Sequence, residues 1–233
     1  MDLRKWGNID DVKCQQCKED ETFEHVLCSC KVALSEGRFP WRYNKVLEVI
    51  LQSVKMAVGL ESAEQKEDRH VTFVSAGGTR KVSPITRVCS GARGREWEVL
   101  VDIKSRLVFP QDIVITNMRP DMILRNDKQH KLWIVELTVP YETNIMESHH
   151  RKSLKYEELR QACELKGWRA ECFAIEVGCR GFAGLSLRRF YKELGLSGKQ
   201  LTREVEKATA SAEKASAWLW LKRNEKWVRG NQG

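Results

Sequence analysis

No apolar run in these 233 residues approaches the ~18 that a membrane span requires, and the opening Met1-Asp2-Leu3-Arg4-Lys5-Trp6 lacks the apolar stretch of a secretory signal. The expectation is an intracellular protein with no membrane association. Neither G-x-G-x-x-G nor G-x-x-x-x-G-K-[ST] occurs, so a nucleotide cofactor has no support. No internal repeat is visible. With 42% hydrophobic and 31% charged residues and a mean hydropathy of −0.48, collagen, coiled coil and wholesale disorder are excluded. What remains is a globular chain long enough for one substantial core and a small satellite.

What is present in excess is positive charge: 40 Lys and Arg against 32 Asp and Glu, a formal +8. Its distribution says more than its sum. The net charges of residues 1–35, 36–95, 96–145, 146–185 and 186–233 are −2, +5, −2, +1 and +6. Two basic flanks therefore enclose a slightly acidic middle, a pattern suited to a polyanionic partner.

Eight cysteines in a reducing compartment do not read as four disulfides. Four of them fall between positions 14 and 30. Cys14, Cys17, His25 and Cys30 have the spacing C-x2-C-x7-H-x4-C, which offers three thiolates and one imidazole to a closed tetrahedral zinc site. So short a segment has almost no core of its own, and the metal would supply most of its folding free energy. Cys28 is an alternative to Cys30 as fourth ligand. Cys89, Cys163, Cys172 and Cys179 read as ordinary core residues.

Along the chain, residues 40–58 carry apolar side chains at helical spacing and end at Gly59. A short strand is expected at 71–74, and a glycine-rich basic connector at 75–95. Residues 96–107 read as a helix stopping before Phe109-Pro110. Strands are expected at 112–116, 121–124 and 132–139. A helix over 144–167 follows, with Ile145, Leu154, Leu159, Ala162 and Cys163 facing the core. A strand at 169–177, a turn at 178–181, and helices at 185–194 and 201–222 complete the chain. This is a small mixed α/β core, too short for a doubly wound dinucleotide fold.

Chemistry concentrates where two apolar runs flank the polar turn 125–131. A hairpin centred between Lys128 and Gln129 sets Leu124 opposite Trp133, Ile123 opposite Ile134, and Asp121 opposite Glu136. Opposed side chains have Cβ atoms ~5 Å apart, and two carboxylates there repel unless a cation lies between them. Mg2+, which takes oxygen ligands, would resolve the conflict. In another register Asp121 is a turn residue and Glu136 a strand-end carboxylate in water. Downstream, Lys152, Lys155 and Tyr156 recur at helical spacing on one expected face, either to stabilise charge near a scissile phosphate or as a solvated basic face. His149 and His150 read as surface residues or phosphate contacts.

Several blocks in one order resemble the C-terminal region of the polyprotein of non-LTR retrotransposons that carry a restriction-like endonuclease. They are the Cys14, Cys17, His25, Cys30 knuckle, Pro120-Asp121, Glu136-Leu-Thr-Val-Pro140, Arg151-Lys152-Ser-Leu-Lys155-Tyr156 and Glu176-Val-Gly-Cys-Arg-Gly-Phe182. The chain departs from the family at Arg42-Tyr43-Asn44, where histidine is usual in the middle. It also carries Thr138 where the general nuclease pattern has its lysine.

The resemblance implies an α/β fold with a PD-(D/E)xK core, a small mixed sheet flanked by helices, behind an N-terminal CCHC zinc knuckle and ahead of C-terminal helices. The expected division is a knuckle at 1–35, helix and basic linker at 36–85, nuclease core at 86–190 and basic helices at 191–233. Asp121 and Glu136 would hold Mg2+, Lys152 or Lys155 would be the catalytic lysine assisted by Tyr156, and Glu96 or Glu98 an accessory acid. Arg42, Arg119 and Arg151 would touch DNA. Zinc would be structural. The implied activity is metal-dependent nicking of target DNA in the nucleus, priming an upstream reverse transcriptase domain of the same polyprotein, with the element RNA as a further partner. No Tyr-x-Asp-Asp polymerase signature lies in this chain. The rival expectation is a catalytically inactive or co-opted zinc-knuckle module that binds nucleic acid, and a weaker one is a protein-interaction domain built on the C-terminal helix with Trp218, Trp220 and Trp227.

Overall fold

A computed structural model describes residues 13–59, 97–102 and 107–227, together with the backbone of Val88–Cys89. The expected strand at 71–74, most of the basic connector, and Glu96 lie outside these residues. The elements are α1 (Lys31–Glu36), α2 (Arg38–Ala57), β1 (Val88–Cys89), β2 (Glu98–Val101), β3 (Met122–Asn126), β4 (Lys131–Thr138), α3 (Ile145–Lys155), α4 (Glu157–Leu165), β5 (Arg169–Glu176), α5 (Leu185–Glu193) and α6 (Gly198–Leu221). Among the described residues no helix is long and apolar enough to cross a membrane.

The strands form one sheet in the order β1-β2-β3-β4-β5. β1, β2, β3 and β4 pair antiparallel in succession. Arg169 N–H donates to His130 O at one end of β5, and Val177 N–H donates to Thr138 O beyond the other. The partners advance in the same direction, so β5 is parallel to β4, and α3 and α4 form the crossover that a parallel pair needs. The sheet is therefore mixed and flanked by helices, as the sequence suggested at that level of detail.

The hairpin register is the one the apolar pattern demands: Leu124 pairs with Trp133 and Ile123 with Ile134. A one-residue slip would turn both buried sets to the wrong face. The β2–β3 register pairs Leu100 with Ile123 and Glu98 with Arg125. One face of the three strands thus carries Leu100, Ile123, Leu132 and Ile134, all buried against Tyr156, Leu159 and Cys163 from the α4 region. The opposite face buries Trp97, Val99 and Trp133, with the two indole rings 5.0 Å apart.

Three expectations need correction. Residues 98–101 are a strand, not part of a helix: Trp97, Leu100 and Val101 match a helical stripe by coincidence, and cross-strand pairing with β3 decides the conformation. Residues 112–116 are not a strand, because Ile113 and Val114 N–H groups both turn back onto Pro110 O. The helix over 144–167 is two helices preceded by a short 3-10 turn, broken at Tyr156 (φ −105°, ψ 5°), whose ring enters the core while Leu154 is left 60% exposed.

The chain divides into two compact units. Met1–Leu51, Leu137–Leu154 and Ala174–Gly233 make the first, and Gln52–Glu136 with Lys155–Phe173 make the second. Strands β4 and β5 run through the division. α2 ends at Ala57, close to the expected stop, with Gly59 at φ +77°. The 178–181 turn is equally constrained: a Cβ on Gly178 would meet Glu142 Oε1 at 2.6 Å, the atom that accepts Arg180 N–H.

Candidate metal and catalytic sites

In the first unit the knuckle is a metal-ready cluster. Cys14 N–H bonds to Glu19 O and Lys18 N–H to Cys14 O, closing a tight loop in which Lys18 adopts φ 67°. That left-handed conformation costs an L residue about 1–2 kcal/mol. Residues His25–Ser29 form a π-helical turn, and Cys30 N–H reaches back to His25 O at 2.8 Å. This wide turn aligns His25 with Cys30, the kind of local irregularity that accompanies functional sites.

The ligand atoms of Cys14, Cys17, His25 and Cys30 all lie within 4.8 Å of one another. Cys17 Sγ is 3.0 Å from His25 Nε2, and Cys14 Sγ is 4.0 Å from Cys30 Sγ. A tetrahedron with metal–sulfur bonds of about 2.3 Å has edges of about 3.8 Å, so this donor set fits zinc in size as well as in chemistry. Burial pushes the Cys30 thiol up to about 11, so metal binding must displace a proton there. The fourth member of the cluster is Cys30. Cys28 turns away, with Sγ 3.8 Å from Cys179 Sγ and 3.7 Å from Arg42 Nη2.

The knuckle is also built into its unit. Gln16 Nε2 donates to Arg223 O, Arg223 pairs with the buried Glu21 at 2.9 Å, and Phe23 stacks on Trp220 at 4.9 Å. Buried Arg38 donates to the carbonyls of Lys222, Arg223 and Glu225, fixing the segment that follows α6.

Arg42, expected to touch DNA, is 3% exposed. Its guanidinium donates to Leu27 O, Ser216 Oγ and Val139 O at 2.9, 3.2 and 3.2 Å. It cannot reach a phosphate while it ties three segments together. Arg151 is exposed on α3, and Lys152 beside it is half-buried. His149 is half-exposed rather than free on the surface. Its Nδ1 pairs with Oε1 of the buried Glu176 at 2.9 Å, and Ser186 Oγ donates to Oε2 at 2.5 Å.

The second unit holds the carboxylates. Continuing the β3–β4 register one step beyond Met122↔Val135 sets Asp121 opposite Glu136. Continuing β2–β3 one step beyond Val101↔Met122 sets Asp102 opposite Asp121, and Asp102 N–H does donate to Asp121 O at 2.8 Å. Asp102, Asp121 and Glu136 therefore form one row across three strands, on the face whose next row is Leu100, Ile123 and Ile134. Sequence reasoning missed Asp102, because reading 96–107 as a helix hid the pairing that aligns it. Glu98 sits two rows away and pairs with Arg125 at 3.5 Å, so it is not part of this group.

Glu136 is 4% exposed, and Lys155 Nζ lies 3.2 Å from its Oε1 and 2.7 Å from Tyr156 Oη. Tyr156 Oη donates to Arg119 O at 3.0 Å. Burial, reinforced by the charges of Glu136 and Asp121, holds the Tyr156 phenol far above its ordinary value, so it stays protonated. The buried phenol holds Lys155 Nζ and the Arg119 carbonyl through these hydrogen bonds. Lys155 is brought to the carboxylate row. The sequence matches no protein-family model and no curated protein.

Proposed function

We propose that the chain is a metal-dependent DNA endonuclease, a PD-(D/E)xK-type core stabilised by a structural zinc knuckle, from the C-terminal region of a non-LTR retrotransposon polyprotein. The observation that carries this reading is the register that opposes Asp121 to Glu136 with the Lys155 ammonium 3.2 Å from Glu136 Oε1. Like charges on opposed strand positions are destabilising, and a fold that concentrates them beside an open cleft has a use for a cation.

Mg2+ would take carboxylate oxygens from adjacent strands, of which Glu136 is buried. Asp121 and Glu136 would hold the ion, which when bound supplies Lewis-acid polarisation of the phosphoryl oxygen and a more acidic water. Lys155, 3.2 Å from Glu136 Oε1, would stabilise negative charge developing on a scissile phosphate. Tyr156 fixes Lys155 from one side, leaving fewer arrangements of its long side chain. The basic flanks of the chain would add sequence-independent grip on the DNA backbone. DNA is then the partner, and the nucleus the place of action.

The test is nicking of supercoiled plasmid by the full chain with Mg2+, compared with Asp121→Asn and Glu136→Gln. Relaxation by the wild type, lost in both variants while DNA affinity persists, is the expected result. Wild-type binding without any nicking would leave only the non-catalytic nucleic-acid-binding module.

A further inference from the structure

The first unit carries a linked row of polar side chains that the carboxylate site does not use. His149 and Ser153 lie four residues apart on α3 and so share one face of the helix, while Glu176 ends β5 and Ser186 lies in the first turn of α5. All four belong to the same unit. Glu176 is 3% exposed, its Oε1 is 2.9 Å from His149 Nδ1, and His149 Nε2 is 3.5 Å from Ser153 Oγ.

The donors and acceptors fix the direction of this row. Ser186 Oγ accepts Glu176 N–H at 3.2 Å and gives its own proton to Glu176 Oε2. The carboxylate is thus used as an acceptor, and its Oε1 takes the proton of His149 Nδ1. In the neutral imidazole the other ring nitrogen is then the acceptor, and Nε2 turns its lone pair to the Ser153 hydroxyl. A hydroxyl, a base and a carboxylate that orients the base, in that order, is the arrangement that activates a serine. Such contacts are often long until a substrate closes them. The pair is also reachable: Ser153 is half-buried and the His149 side chain is 44% exposed. Met146, three residues before His149 and therefore its neighbour on the helix surface, is 78% exposed and offers apolar contact to a short acyl chain.

We propose that Ser153 is a nucleophile activated by His149, and that it takes the acyl group of a carboxylic ester with a good leaving group. Ser153 Oγ attacks the carbonyl carbon as its proton passes to His149 Nε2. The bond from Oγ to that carbon forms, the bond from the carbon to the leaving oxygen breaks, and the departing alcohol takes the proton from Nε2. The products are a serine ester and a free alcohol, with no oxidant or reductant involved. A good leaving group is required because the backbone N–H groups of α3 are engaged along the helix instead of gathering the developing oxyanion.

The probe is p-nitrophenyl acetate, mixed with the zinc-loaded full chain, quenched in acid at short times and mapped by tandem mass spectrometry. Ser35, exposed on α1 and donating to Val32 O, is the comparator within the same molecule. Ser153 should be acetylated about 100-fold faster than Ser35, the lower end of what a general base supplies. His149→Ala should bring the Ser153 rate down to about that of Ser35, and free imidazole should restore part of it, a rescue that a merely structural histidine would not show. Equal acetylation of Ser153 and Ser35, an unchanged Ser153 rate in His149→Ala, or a loss there that imidazole does not restore overturns the assignment. Neither Mg2+ nor DNA enters the assay, so its outcome is independent of the nuclease reading.

Discussion

Replacing Arg42 distinguishes a DNA-gripping arginine from a structural one, and the structure sets the size of the effect. Three of its contacts run to oxygen acceptors, Leu27 O, Ser216 Oγ and Val139 O. A hydrogen bond from a charged donor is worth roughly 1.5–3 kcal/mol, and an orphaned buried acceptor costs about 1–3 kcal/mol. Removing the guanidinium also removes the several kcal/mol spent on burying its charge, so the net loss for Arg42→Ala is about 2–4 kcal/mol. At about 2–4 °C per kcal/mol for a chain of this length, Tm should fall by roughly 5–15 °C. Arg42→Lys keeps the charge but not the planar fork and should recover only part of the loss. The assay is a thermal melt of the zinc-loaded protein, paired with a salt titration of DNA binding at a temperature where every variant is folded. A Tm within about 1 °C of wild type, together with a salt slope reduced by about 0.9, would refute the reasoning and return Arg42 to the DNA surface.

Zinc removal should be felt at the end of α6. The knuckle holds Trp220 through Phe23, and Arg223 through Glu21 and Gln16. Cys17→Ala or chelation should therefore shift tryptophan emission to the red and abolish one equivalent of bound zinc, while Cys28→Ala leaves the stoichiometry at one. Lys155→Ala should lower plasmid nicking by about 100-fold or more, as loss of a transition-state charge partner does. A loss below about five-fold would contradict that role for Lys155. Tyr156 provides a pH test. Its folded pKa is raised above the unfolded value of 10.0, so the stability it contributes is complete below pH 10 and is lost as pH rises further. Absorbance of ionised phenol should accordingly show a fraction that titrates only as the protein unfolds, and Tyr156→Phe should reduce it by one tyrosine.

The route from sequence to site succeeded where local pattern and chemistry agree. Cysteine and histidine spacing is enough to bring four ligands together, because a closed metal loop is short and its geometry is almost wholly local. The choice between Cys28 and Cys30 was not local. It depends on a π-helical turn and on Cys179 and Arg42, which draw Cys28 aside. The β3–β4 hairpin was legible because its turn is short and a slip would expose a full set of Leu, Ile and Trp side chains.

By itself, then, the sequence determined the Cys/His cluster up to the choice between Cys28 and Cys30, the β3–β4 hairpin register and the mixed α/β class, all consequences of short-range spacing and alternation. Tertiary structure alone decided three things. It made residues 98–101 a strand, and with that pairing it added Asp102 to the acid row. It broke the helix at Tyr156, whose ring is drawn into the core, with Lys155 beside it at Glu136. It also withdrew Arg42 from solvent into a cradle of carbonyl groups contributed by distant segments. Each of these depends on which strand lies beside which, or on which helix end meets which loop. Those contacts are made between residues far apart in the chain, where no local period records them.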